Sequence, residues 1–247
     1  IDPVALNRYM SFHAVVPAPH TILKGVRKLP PATMMTIEPD GSRKTREYWT
    51  VEFGPRNGDA NRSEEEWREI VLDALRTAVK RLVADVPVGV LLSGGLDSSL
   101  VVGLLAEAGQ HGLKTFSIGF ETVGDEAGDE FKYSDIIADH FDTDHTKIFV
   151  DSSRALPELD KCVAAMSEPM VSHDNIGFYL LSEEVAKHVK VVQSGQGADE
   201  IFAGYHWYPP MLDSADPVGD YASVFFDRDF DEYRQAVDPA MLDGDHA

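Results

Sequence analysis

Two short segments gather the residue types that handle a polyphosphate. The first, Ser93-Gly94-Gly95-Leu96-Asp97-Ser98-Ser99, packs two glycines, three serines and one aspartate into seven residues. Adjacent glycines allow a tight turn that presents several backbone N–H groups to one anion. The hydroxyls of Ser93, Ser98 and Ser99 add donors, and a helix starting here adds the positive end of its dipole. Asp97 works against this, because a carboxylate beside phosphates repels them unless a divalent cation lies between, so it calls for Mg²⁺. The second segment, Ser194-Gly195-Gln196-Gly197-Ala198-Asp199-Glu200, offers another glycine turn with two acids. Alone it reads as a surface turn; paired with the first it frames a nucleotide.

The bland alternative for the first segment is a strand–turn–helix in which Asp97 and Ser98 cap the helix. Walker A chemistry is set aside because Gly-Lys-Ser/Thr is missing. A nicotinamide oxidoreductase would need G-x-G-x-x-G after the first strand, which this segment does not supply. A catalytically silent nucleotide-binding fragment is the remaining competitor.

Such turns need strands behind them and helices ahead. Short apolar runs at 86–92, 115–120, 146–150 and 189–193 read as buried strands. Between and around them, 97–109, 131–141, 155–166 and 176–188 carry helical periodicity. This alternation predicts an α/β fold with a doubly wound, mostly parallel sheet, which binds ligands beyond the carboxyl ends of its strands at a switch point. Ahead of the sheet, Ser63 and Glu66 form a capping box, and Trp67, Ile70, Val71, Ala74, Leu75, Ala78, Val79 and Leu82 make an apolar stripe for docking. Residues 1–53 differ, with Pro-rich β-like pieces at Thr33–Glu38 and Tyr48–Phe53 around the turn Pro39–Ser42. Residues 54–62 are polar and turn-rich, as a linker is, so the expected organisation is 1–53, 54–62 and 63–247. The Asp-rich tail from Met211 reads as partly solvated helix.

Composition narrows the partners. The 247 residues are 43% hydrophobic and 26% charged, ordinary for a folded chain, while 42 acids against 22 bases give a net charge of −20. That charge excludes the basic face that nucleic-acid binding requires, but not ATP, which is held by local N–H groups and metal ions. No apolar run reaches membrane-spanning length, so no membrane partner is expected. Cys162 is the only cysteine and sits in an apolar stretch, where a buried structural role is expected and a reducing cytoplasm suits it. The start, Ile1-Asp2-Pro3-Val4, has neither an initiator Met nor a signal peptide and reads as a cut end.

Other chemistry-bearing groups carry plainer readings. Asp139, His140, Asp142, Asp144 and His145 suggest a metal, but a helix end feeding a strand accounts for them better. His173 and Asp174 stand before a helix, either as caps or near an acceptor. Trp207 and Tyr208 either pack or line an acceptor pocket.

Ser93–Ser99 resembles the PP-loop of the ATP pyrophosphatases, which are adenine nucleotide alpha-hydrolase-like proteins. Both loops, with Thr115-Phe116-Ser117-Ile118-Gly119-Phe120 between them, resemble the glutamine-hydrolysing asparagine synthetases. The resemblance starts at Leu6–Trp49, which is similar to the end of that family's glutaminase domain and implies a short β-rich remnant of it. It implies that Leu91, Ile118, Ser194 and Gly195 contact adenosine. Ser93, Gly94, Gly95, Asp97, Ser98 and Ser99 would hold pyrophosphate, and Asp97 and Asp199 would bind Mg²⁺, with Asp97, Asp199 and Gln196 at the catalytic positions.

The activity implied is an AMP-forming carbon–nitrogen ligase: a carboxylate acceptor is activated by ATP, and ammonia from glutamine then displaces AMP. The family's glutaminase nucleophile and its later catalytic lysine are absent from these 247 residues, which are expected to be inactive alone. A homodimer is the assembly expected. One departure stands out: where the family commonly has Ser-Gly-Glu-Gly, this chain has Gln196, which cannot accept a proton from ammonia. Residues 195–210 and 124–135 resemble N-acetylglutaminylglutamine amidotransferases in particular, which leaves the acceptor as aspartate or a dipeptide.

Overall fold

The computed structural model describes residues 1–52, 54, 58–82, 86–120, 131–170, 172 and 174–242. Helix α1 (Pro3–Ser11) starts on Asp2, whose carboxylate accepts from the N–H groups of Val4 and Ala5, with Pro3 in the first turn. Strands β1 (Thr33–Ile37) and β2 (Arg43–Glu47) form an antiparallel hairpin. The second strand was expected at Tyr48–Phe53. The turn decides otherwise: Gly41 N donates to Glu38 O and Glu38 N to Ser42 O, which brings Ile37 opposite Arg43 and leaves residues 48–52 beyond the pairing. Phe53 lies outside the described residues.

The rest of the chain alternates as the periodicity predicts. In order come α2 (Glu64–Arg81), β3 (Val88–Leu91), α3 (Leu96–Glu107), β4 (Lys114–Phe120), α4 (Phe131–His140) and β5 (Asp144–Val150). Then follow α5 (Ala155–Ala165), α6 (Asp174–Val185), β6 (Val191–Gln193), α7 (Ala198–Phe202), α8 (Tyr208–Met211), α9 (Pro217–Phe225) and α10 (Phe230–Ala236). The four strands β5-β4-β3-β6 form one sheet with every pairing parallel.

Alternate residues of each strand feed opposite faces. Val90 and Leu92 join Val79, Val102, Leu105 and Ala138 in one core, between the sheet and α2, α3 and α4. Leu91 and Phe116 face the other way with Ile148, Val150, Leu180 and Val185, under α6. The sheet is therefore doubly wound, with a dry core on each side. Cys162 is buried on α5. The capping box forms at Ser63 and Glu66. The docking stripe of α2 is narrower than expected: Leu72, Leu75 and Val79 pack on the core, while Trp67, Ile70 and Leu82 are exposed. The helix is turned so that the 72–75–79 line faces inward, and the Arg62 guanidinium lies over the Trp67 ring.

Two compact units emerge, and they do not follow chain order. Unit 2 comprises Gly58–Ala165 and His173–Tyr208 and contains the parallel sheet; unit 1 comprises Ile1–Asn57, Met166–Ser172 and Pro209–Ala247. The Asp-rich tail, assigned by sequence to the domain beginning at residue 63, thus groups with the N-terminal stretch. Its acids do local work, because Asp216 and Asp229 cap α9 and α10. Within unit 1, the wholly buried Tyr233 of α10 places its hydroxyl 3.1 Å from both Pro3 O and Met241 O.

Candidate active site

The chain runs from β3 to β4 to β5 on one side and returns to β6 on the other side of β3. The turns after β3 and β6 therefore leave neighbouring strands at the same end of the sheet, where the direction of winding reverses. Val90 pairs with Gln193, so Ser93–Gly95 and Ser194–Gly197 start almost side by side.

Packing explains two of the glycines. Gly94 has φ +89°, and a Cβ there would lie 2.5 Å from Ser134 N and 2.6 Å from Tyr133 C. The first turn is thus seated on the backbone of α4, so the close approach that requires glycine here is to protein. Gly195 lies against the first turn of α3, where a Cβ would come 2.8 Å from Ser98 N. A Cβ at Gly204 would overlap Asp199 Oδ1, so that glycine leaves room for the carboxylate.

Gly95 is the N-cap of α3 and no side chain caps the helix. Asp97 and Ser98 sit inside its first turn, so the reading in which they serve as caps does not describe this helix. The first N–H groups of a helix have no partner within it, and Gly95, Asp97 and Ser98 of this first turn line a cavity. That cavity, of about 440 Å³, is within the size range of small-molecule sites. Of the residues singled out by sequence, Leu91, Ser93, Gly95, Asp97, Ser98 and Ile118 line it from β3, α3 and β4. Ser194, Gly195, Gln196 and Asp199 line it from the second turn. Gly94 and Ser99 do not: Gly94 is pressed on α4, and the Ser99 hydroxyl donates to Gly95 O at 2.6 Å.

The serines are already organised. Ser93 and Ser98 hydroxyls are 3.0 Å apart, and Gly95 N donates to Ser93 Oγ at 3.2 Å. Sequence reasoning missed Phe131, Phe178 and Ser117, which also line the cavity. Ser117 was legible in principle, as the polar member of β4 nearest its carboxyl end. Phe131 and Phe178 come from helices whose orientation only the packing reveals. Trp207 is stacked on Tyr205 with ring centroids 4.4 Å apart and is not part of the lining. Residues 121–130 and His173 lie outside the described residues.

Electrostatically, the lining among the described residues carries two carboxylates, Asp97 and Asp199, and no Lys, Arg or His. Among the described residues neither acid forms an ion pair. A bare polyphosphate would be repelled here, whereas a hard divalent cation needs one or two carboxylates and keeps its remaining positions for phosphate oxygens and water. The donor set therefore fits Mg²⁺ accompanying a phosphate ligand. Among the described residues, here or elsewhere, no three His, Cys, Asp or Glu side chains gather to hold a metal.

Parallel strands on both sides of a glycine–serine turn, at a switch point lined by two acids, define an α/β domain of the PP-loop type. The chain belongs to the asparagine synthase family, whose model, described as asparagine synthase, matches residues 71–241. It is 36% identical over 212 residues to asparagine synthetase [glutamine-hydrolyzing] 1 of Bacillus subtilis, covering 86% of this chain and 32% of that protein. It is 32% identical over 200 residues to amidase chyE of Penicillium rubens, covering 75% and 30%. The chain thus spans about a third of the length of the curated relatives it matches. Among solved structures, the NH3-dependent NAD synthetase of Campylobacter jejuni superposes with a TM-score of 0.36 at 14% identity, over 73% of this chain and 91% of that one, too weakly to carry an argument.

Proposed function

We propose that this domain activates a carboxylate with ATP, releasing pyrophosphate, and that ammonia derived from glutamine then converts the acyl-AMP to an amide. The observation that carries this reading is the convergence of the two glycine turns on one cavity, with Asp97 and Asp199 both lining it. Leu91, Ile118, Ser194 and Gly195 suit the adenosine end. Ser93, Gly95 and Ser98, with the open N-terminus of α3, suit the pyrophosphate that must leave. Gly94 and Ser99 support that turn from behind. Asp97 and Asp199 would hold Mg²⁺, which when bound neutralises phosphate charge. The protein's own contribution is alignment and charge stabilisation by fixed donors.

Gln196 lines the cavity as a neutral amide and cannot serve as general base. Either the base lies elsewhere or the acceptor differs, so a dipeptide such as N-acetylglutaminylglutamine stands beside aspartate as the second acceptor class. We propose the full-length protein, with its glutaminase and remaining synthetase parts, as the active form, small molecules as its ligands, and a reducing cytoplasm as its compartment. No helix among the described residues is long and apolar enough to cross a membrane.

ATP–pyrophosphate exchange by the full-length protein tests the reading. Exchange driven by aspartate or by an acylated Gln-Gln dipeptide supports it and names the acceptor. An acceptor panel that yields neither AMP nor exchange removes it.

A further inference from the structure

We infer that His145 is a positioning residue that fixes the start of the Ser93–Ser99 turn through Ser117. Its effect on nucleotide affinity rests on the function proposed above; its effect on the turn does not.

The register of β4 and β5 pairs Thr115 with His145 and Ser117 with Lys147. Phe116, Ile148 and Val150 point into the core under α6, so strand alternation sends Thr115, Ser117, His145 and Lys147 to the opposite face, towards α4. Thr115 is fully buried and Ser117 is 4% exposed, and polar groups buried this deeply require partners. They find them in one another. Thr115 Oγ1 is 2.8 Å from both Thr143 Oγ1 and His145 Nδ1. Ser117 Oγ is 3.4 Å from His145 Nε2 and donates a short hydrogen bond to Leu92 O. Leu92 immediately precedes Ser93, and its N–H donates to Phe116 O at 2.8 Å. Both peptide groups of the residue that launches the turn are therefore tied to β4, one of them through a hydroxyl that the imidazole holds.

The chain of hydrogen bonds has a direction. A hydroxyl has one hydrogen, and Ser117 gives its own to Leu92 O, so towards the imidazole it can only accept. Nε2 must then carry the proton, Nδ1 accepts from Thr115, and Thr115 accepts from Thr143. A single neutral tautomer satisfies every member. The charged groups around the ring are Asp135 and Asp139 on α4 and Lys147 on β5. Asp135 Oδ1 is 3.9 Å from Nε2, but its other oxygen is engaged by Lys147 at 2.8 Å. Burial, with the Lys147 ammonium acting in the same direction, outweighs the two acids and a hydrogen bond to the Thr115 backbone and holds the imidazole below its ordinary range. The same helix that presents Asp135 also seats Gly94 through Tyr133 and Ser134, so the ring lies between two supports of one turn.

Three measurements on the full-length protein decide the matter. Imidazole NMR at neutral pH should place the His145 proton on Nε2; a proton on Nδ1 overturns the inference. Affinity for ATP with Mg²⁺ should fall about fivefold to tenfold in H145L and in S117A, with the double variant no weaker than the weaker single one, because both cut the same connection. H145Q, whose amide offers both an N–H and a carbonyl, should recover most of the loss. Additive losses, or unchanged affinity in S117A, overturn it. If H145L does not fold, the comparison of S117A with H145Q stands in its place. If the wild-type protein binds no ATP, the proposed function falls while this inference is still decided by the tautomer and by amide exchange at Gly94 and Gly95, which should quicken in S117A; unchanged exchange there overturns it.

Discussion

Gly195 and Asp97 belong to different turns, yet a Cβ on Gly195 would stand 2.7 Å from the Cβ of Asp97, closer than two such carbons can lie. The second glycine turn rests directly on the residue that supplies the first turn's carboxylate. The relative placement of the two loops is thus set by contact between them.

Gly195→Ala must push the loops apart. Overpacking of this kind costs about 1–3 kcal/mol, and the shift of Asp97 should lower affinity for ATP with Mg²⁺ by about tenfold or more. Gly197→Ala is the control: Gly197 has φ +89° but nothing within 4 Å of a Cβ, so it should cost about 1–2 kcal/mol of backbone strain with little effect on affinity. Denaturant unfolding and titration calorimetry on both variants check this, and equal affinities would contradict the close packing.

Asp97→Asn should change the sign of its effect with the metal. In Mg²⁺ the variant loses a ligand and binds ATP more weakly, by about tenfold. In EDTA it should bind ATP more tightly than the wild type, because a carboxylate that repels phosphate has gone. Asp199→Asn should behave alike. Tighter or equal binding in Mg²⁺ would remove the metal role.

His145 predicts a stability slope. Its folded pKa lies below 6.5 because of burial, so on acidification the unfolded chain takes up the proton first. Stability should therefore be fully present above about pH 6.5 and fall as pH drops towards the folded value. His145→Gln should flatten that part of the profile, as read by urea unfolding from pH 7 downwards.

Tyr233→Phe removes a buried hydroxyl whose single hydrogen is shared between Pro3 O and Met241 O. A loss of about 1–2 kcal/mol is expected, confined to unit 1. Thermal unfolding with nucleotide affinity unchanged is the expected outcome.

The sheet was legible because its strands are short apolar runs separated by helical periods, a signal carried by neighbours in sequence. Val88–Leu91 and Lys114–Phe120 show it within a residue or two of the expected limits. The first helix was missed although Asp2 and Pro3 form a recognisable start, since the prolines further on coloured the whole stretch as β-like. The loop residues were legible from their types, but their duties were not. That Gly94 faces α4, and that Ser99 turns back on its own helix, depends on elements far along the chain. His145 illustrates the same limit: its partners Thr115 and Ser117 lie 30 and 28 residues away, and only the pairing of β4 with β5 brings them together.

The bare start of α3 has a thermodynamic consequence. Gly95 supplies no side chain to cap α3, which leaves the N–H groups of Leu96 and Asp97 without a capping partner. Whatever anion settles there completes the helix, and part of its binding free energy reappears as resistance of α3 to fraying. Stability and recognition compete for the same few hydrogens, and an Asp or Ser grafted at this position would firm the empty protein while making it a poorer host.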